Sequence, residues 1–156
     1  MSVAKLLSIA GPALCTEAAC LPAEGSWTTG IFSQLFRMLR ERNGFFAFEA
    51  ALHVFPIGDS AVSFDVLRWN SPELWRFEYQ NLTDGCFFFA EDVFGGQFCI
   101  ADGKVYTFDP ETAVKEFIAD SIEGWAAELL ARYRVLTGHP LAREWQARNG
   151  AIPTFK

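Results

Sequence analysis

The chain has 156 residues, enough for one domain with its own core, and 51% of them are hydrophobic, including 16 phenylalanines. That composition excludes disorder, and no apolar run reaches the ~18 residues of a membrane span. A net charge of −6 argues against a nucleic-acid backbone as ligand and suits a basic protein partner.

Met1 to Leu14 holds one lysine and a short apolar run, a faint likeness to an export signal. Gly11-Pro12 breaks the run, and no small residue stands before Cys15 as a lipoprotein cleavage site requires. A cytoplasmic protein is therefore expected. Ser2 to Ala10 predicts a short helix with Val3, Leu6 and Leu7 on one side. Residues 11–28 predict a loop, with a turn of helix near Glu17, so that 1–28 forms an N-terminal arm. From Thr29, Ile31, Phe32, Leu35, Phe36 and Leu39 recur at helical spacing, and Asn43-Gly44 is expected to stop that helix in a left-handed conformation.

Phe45 to Pro56 is ambiguous. Strand alternation groups Phe46, Phe48, Leu52 and Val54, whereas helical spacing groups Phe45, Phe48, Leu52 and Phe55. The reading adopted is a short helix over Phe46–Leu52, then extended chain to Pro56. Ile57 to Trp69 is expected to be irregular, with a turn at Gly58-Asp59. Asn70-Ser71-Pro72-Glu73 then reads as a helix start, with Ser71 as cap and Pro72 in the first turn. That helix is expected to reach Leu82 and to end at Asp84-Gly85.

Cys86 to Asp109 follows with three short apolar runs. Asp102-Gly103 between the second and third predicts a two-residue type I′ hairpin, because both central positions need positive φ. The stretch therefore reads as a three-stranded antiparallel meander. Ala101 should face Lys104, Ile100 Val105, Cys99 Tyr106 and Phe98 Thr107. Phe98, Ile100, Val105 and Thr107 then share one face, and Cys99, Ala101, Tyr106 and Phe108 the other. Both faces are largely apolar, so helices or a partner must cover each.

Asp109 to Thr112 predicts a turn, and Ala113 to Ala119 either extended chain or a short helix. Asp120-Ser121-Ile122-Glu123 matches a capping box, and Ile122, Trp125, Ala126, Leu129, Leu130 and Tyr133 give a long amphipathic helix to Arg134. A last helix is expected over Pro140–Asn149, with a loose tail beyond. No linker or repeat divides the chain, which reads as a single domain over residues 1–156.

Reaction chemistry is sparse. Cys15, Cys20, Cys86 and Cys99 form no CxxC pair, and His53 and His139 lie outside zinc spacing of any cysteine, so no metal or cofactor is expected. Cys86 and Cys99 read as buried free thiols. Ser60, Ser63, Asp59 and Asp65 lie near His53 in sequence without hydrolase spacing, and Gly95-Gly96 lacks the lysine of a phosphate loop. Glu91-Asp92 is a paired carboxylate, but neighbours in a strand point to opposite faces. A solvated turn or an acidic contact for a partner fits it better than acid–base work. No catalytic residue is assigned. Glu91, Asp92, Trp75, Tyr79 and Tyr106 are the candidate partner-binding residues.

The run FFFAEDVFGGQFCIADGKVYTFDPET (Phe87 to Thr112), followed by ADSIEGWAAELL (Ala119 to Leu130), resembles the SUKH superfamily. That group includes the yeast cell-wall assembly regulator of the Smi/Knr type and bacterial Syd. The shared pattern is an aromatic strand, an acidic glycine-rich turn, two further strands with Val-Tyr in the second of them, and a helix starting near a serine with an early aromatic. Those features fall here on Phe87–Ala90, Glu91 to Gly96, Gln97–Ala101, Lys104–Phe108, and Ser121 with Trp125. The likeness covers roughly residues 29–133. The segment Asn70–Leu82 departs from it in being unusually aromatic. The chain also stops soon after its last expected helix, where some relatives continue, as a truncated C-terminus would.

The resemblance implies an α+β fold with a curved antiparallel sheet surrounded by helices. It also implies a bacterial immunity protein, a non-enzymatic module that binds and neutralises a cognate toxin and brings no catalytic residues. Two other functions compete with it: a regulatory scaffold for a housekeeping partner, and a small enzyme or small-molecule binder using Glu91, Asp92 or His53.

Overall fold

Six strands pair in chain order into one open antiparallel meander in the computed structural model, which describes residues 1–22 and 27–138. They are β1 (Phe45–Ala47), β2 (Leu52–Val54), β3 (Phe87–Asp92), β4 (Gln97–Ala101), β5 (Lys104–Phe108) and β6 (Lys115–Ala119). The class is α+β. Helices α1 (Ser2–Ile9), α2 (Gly30–Glu41) and α4 (Ile122–Thr137) pack on one face of the sheet. The other face is covered by the segment between β2 and β3, which holds the single-turn helix α3 (Val66–Trp69) and a 3-10 segment (Arg76–Thr83).

The centre of the sheet follows the sequence pattern. Asp102 and Gly103 take φ of 51° and 72°, as the type I′ turn demands. The β4–β5 register is the expected one: Ala101 with Lys104, Ile100 with Val105, Cys99 with Tyr106, Phe98 with Thr107. Phe98, Ile100 and Val105 enter the helix-side core with Phe89 and Trp125. Cys99, Ala101 and Phe108 enter a second cluster with Cys86 and Phe88 on the far face. Both apolar faces are thus covered by the chain itself. On the helix side, the Trp125 ring meets Phe89 and Phe98 edge-on at 5.0 and 5.8 Å. On the other, Trp75, Tyr79, Phe88 and Phe108 form an edge-to-face group. Such pairs add about 0.5–1.5 kcal/mol each beyond their buried area.

Four local expectations are corrected. Phe46–Leu52 is not helical: β1 and β2 form a hairpin whose turn puts Phe48, Glu49 and Ala50 at positive φ. No glycine or asparagine marks that turn, and the long-range pairing of β2 with β3 overrides the local helical spacing. The stretch from Asn70 to Leu82 forms turns and a 3-10 segment, with Gln80 breaking regularity at φ 53°. Here tertiary hydrogen bonds replace the helical ladder. Trp75 Nε1 donates to Trp69 O at 2.8 Å, Tyr79 Oη to Pro110 O at 2.6 Å, and Arg76 donates to Thr83 O. The α2 helix ends at Arg42 in extended backbone, and the left-handed residue is Gly44, beyond the cap. Finally, Ser121 alone caps α4, its Oγ accepting from Gly124 N at 2.9 Å. Glu123 instead reaches the free N-terminus of α1, accepting from Ser2 N at 2.8 Å and Val3 N at 3.3 Å.

The arm is ordered by the sheet and its approach. Gly11 N donates to Phe46 O, and Leu14 N and Cys15 N to Gly44 O and Asn43 O. The stretch around Glu17 forms bends, not a turn of helix. Val66–Trp69 is a helical turn that the irregular reading omitted; Asp65 caps it, accepting from Leu67 N. Ala113–Ala119 resolves to strand β6 from Lys115 on. The helix expected over Pro140–Asn149 and the tail lie outside the described residues.

Candidate functional site: a buried polar row and an acidic groove

Register places His53 of β2 directly opposite Glu91 of β3, and Glu91 opposite Gln97 of β4. The three side chains therefore line up across the sheet on the face away from the helices. His53 Nδ1 lies 2.9 Å from Glu91 Oε2, and both residues are 3% exposed. His53 Nε2 lies 2.8 Å from Ser63 Oγ in the loop before α3. Gln97 Nε2 donates to Gly95 O at 2.9 Å and, more weakly, to Glu91 Oε1 at 3.5 Å, while Trp69 Nε1 donates to Gln97 Oε1 at 2.9 Å. The imidazole ring stacks on Phe46 and packs against Phe55, with centroids 4.7 and 4.4 Å away.

Two proton arrangements satisfy this row. In one, the Ser63 hydroxyl donates to Phe64 O, 3.0 Å away, and His53 donates from both ring nitrogens. In the other, the hydroxyl turns to Nε2 and the imidazole is neutral. The second is the order of a nucleophile, a base and an orienting carboxylate. Either arrangement ties the 57–65 loop to the sheet.

Asp92 faces the opposite way. Its Oδ1 accepts from Phe94 N at 2.8 Å and Gly96 N at 2.9 Å, closing the β3–β4 turn. Burial pushes its carboxyl group above the ordinary range, against the pull of those backbone donors. Gly96 is needed there, since a Cβ would come within 2.5 Å of Asp92 Oδ2. Asp92 lines a groove of about 610 Å³ with Phe94, Asp109, Glu111, Glu116 and Val135. Four carboxylates line this groove, and no lysine, arginine or histidine does so among the described residues. Its rim is apolar and wet: Phe94 is 63% and Val135 79% exposed.

The five residues expected to contact a partner fall in four places. Glu91 is buried against His53 and presents no surface. Trp75 and Tyr79 are half-buried and hold the cover over the sheet; Tyr106 is half-buried beside Phe117 and Lys115. Asp92 alone lines the groove. The sequence reading missed Asp109, Glu111 and Glu116 as a group, because only strand pairing brings the two turns together. Phe94 carried a readable signal: a large apolar residue inside the acidic, glycine-rich turn EDVFGG. Among the described residues, no cluster of three or more His, Cys, Asp or Glu side chains is placed to hold a metal ion, and no helix is long and apolar enough to cross a membrane.

Compared with protein-family models, curated proteins and solved structures, the chain matches none.

Proposed function

We propose that this chain is a non-catalytic protein-binding module, an immunity protein that neutralises a toxin by holding it, with a basic surface of the toxin seated in the acidic groove. The observation that carries this reading is the groove itself: Asp92, Asp109, Glu111 and Glu116 beside exposed Phe94, Val114 and Val135. Apolar anchors give an interface its affinity, and a one-signed field speeds encounter with a partner of opposite sign. The SUKH resemblance supports the immunity role, and the open antiparallel sheet with helices on one face agrees with the architecture that resemblance implies.

The test uses a toxin domain encoded beside this gene. Co-expression should rescue cells, and titration calorimetry should show a complex whose affinity falls with added salt. The double substitution Glu111→Lys/Glu116→Lys should weaken that complex most at low ionic strength, where charges interact over about 10 Å or more. Cells that die despite co-expression, or an affinity indifferent to the double substitution at low salt, defeat the proposal.

One observation favours an enzyme instead, namely the Ser63–His53–Glu91 chain with its 2.8 and 2.9 Å contacts. Acyl transfer by Ser63 requires the hydroxyl to turn from Phe64 O to His53 and substrate to reach a half-buried serine. A fluorophosphonate probe decides the matter: covalent labelling at Ser63, lost in His53→Gln, supports catalysis, and an unlabelled Ser63 removes it.

A further inference from the structure

We infer that Cys86 and Cys99 are a peroxide-reactive thiol pair, with Cys86 the attacking sulfur and Cys99 the one that closes a disulfide onto it. The register that pairs Phe87 with Ile100 and Phe88 with Cys99 sets Cys86 opposite Ala101. Cys86 and Cys99 are then diagonal neighbours on one face of the β3–β4 pair, and they share one buried cluster. Both are free thiols.

The cations around Cys86 give the pair its direction. Lys115 Nζ donates to Cys86 Sγ at 3.8 Å. Lys115 lies on β6, three strands from β3, which in a flat sheet is about 14 Å. Arg76, whose guanidinium stands 5.2 Å over the Phe88 ring, adds a second positive charge from the covering segment. The neighbouring Cys99 thiol, together with Lys115 and Arg76, outweighs burial and brings the Cys86 thiol down to about 6. Cys99 is pushed the other way, chiefly by its Cys86 neighbour and then by burial. Of the two sulfurs, Cys86 beside Lys115 is the readier thiolate and Cys99 the readier thiol.

The chemistry balances with a hydroperoxide as oxidant. The Cys86 thiolate attacks the peroxide, an S–O bond forms and the O–O bond breaks. The peroxide takes two electrons and leaves as hydroxide or alkoxide, which solvent or the Lys115 ammonium protonates. Cys86 is left as a sulfenic acid. Cys99 then attacks the Cys86 sulfur, the S–S bond forms, the S–O bond breaks, and the departing hydroxide takes the Cys99 proton to become water. Access runs beside the 3-10 segment. Cys86 is 5% exposed and its N–H donates to Thr83 O at 3.1 Å. Thr83 lines a groove of about 280 Å³ with Arg76, Gln80 and Asp84, and a peroxide entering there must pass buried Thr83 to reach the sulfur.

The experiment treats the reduced full-length chain with hydrogen peroxide, blocks remaining thiols with an alkylating agent and maps the peptides by mass spectrometry. A disulfide joining Cys86 to Cys99 is expected, formed ahead of oxidation at exposed Cys20. In Cys99→Ala a dimedone adduct should appear on Cys86, and in Cys86→Ala Cys99 should stay reduced. Lys115→Met should slow the reaction at pH 6 by about fivefold if the Cys86 pKa rises by about one unit. The wild-type map needs no variant to fold. Oxidation confined to Cys20 overturns the proposal, as does a Cys86 sulfenic acid that persists with Cys99 present.

Discussion

Replacing Glu91 with leucine tests what the buried polar row does. Leucine fills nearly the same volume but removes the acceptor 2.9 Å from His53 Nδ1 in a site 3% exposed. Gln97 Nε2 keeps Gly95 O, whereas the buried His53 Nδ1 loses its carboxylate acceptor. An orphaned buried donor costs about 1–3 kcal/mol, and breaking a buried ion pair about 3–5 kcal/mol. A loss of roughly 3 kcal/mol follows, which for a domain of this size lowers Tm by about 9 °C. Glu91→Gln keeps an acceptor for Nδ1–H and should cost only about 1 kcal/mol. Calorimetric melts of the three proteins, checked by urea titration, measure the difference. If the leucine and glutamine variants melt within about 2 °C of each other, the His53–Glu91 contact does not hold this face together. The glutamine variant should also bind a partner as the parent does, because Glu91 offers no surface.

Three further outcomes follow from local geometry. Asp92→Asn should raise stability near neutral pH and change little at about pH 3. Burial raises the folded-state pKa of Asp92, so the folded chain holds the proton more tightly, and stability falls as pH rises from the unfolded carboxylate value through the folded one; asparagine removes that fall while its oxygen still accepts from Phe94 N and Gly96 N, and urea titrations at the two pH values read it. Gln80→Gly should stabilise the chain by roughly 1 kcal/mol in the same assay, because φ 53° with ψ −122° strains any residue with a Cβ. Ser121→Ala should cost about 1 kcal/mol by leaving Gly124 N without its cap, whereas Asp120→Ala should cost little.

Local signals made the centre of the fold legible. Asp102-Gly103 fixed a turn, the turn fixed a register, and the register sorted eight side chains onto two faces as they stand. The first hairpin escaped because its turn, Phe48-Glu49-Ala50, uses residues that rarely take positive φ. That miss propagated to function. With Phe46–Leu52 read as helix, His53 had no place opposite Glu91, and the row His53–Glu91–Gln97 could not be seen. Ser63 joins His53 by tertiary packing across ten residues of irregular chain, which no spacing rule encodes. The acidic groove was half visible. Asp92 was marked, but Asp109, Glu111 and Glu116 reach it only through the β4–β5 and β5–β6 pairings.

Glu91 and Asp92 show how one sequence feature serves two ends. Strand geometry sends adjacent side chains to opposite faces. Glu91 goes to the face covered by the aromatic segment, where His53 and Gln97 hydrogen-bond its buried carboxylate. Asp92 goes to the groove, where backbone donors from Phe94 and Gly96 hold a charge that burial opposes. An asparagine would close the same turn without that penalty. Under the function proposed above, a cationic partner would offset the strain of keeping Asp92 ionised beside three other carboxylates and exposed Phe94, so that binding and folding would pull on this residue in opposite directions, whereas buried Glu91 takes no part in such a surface.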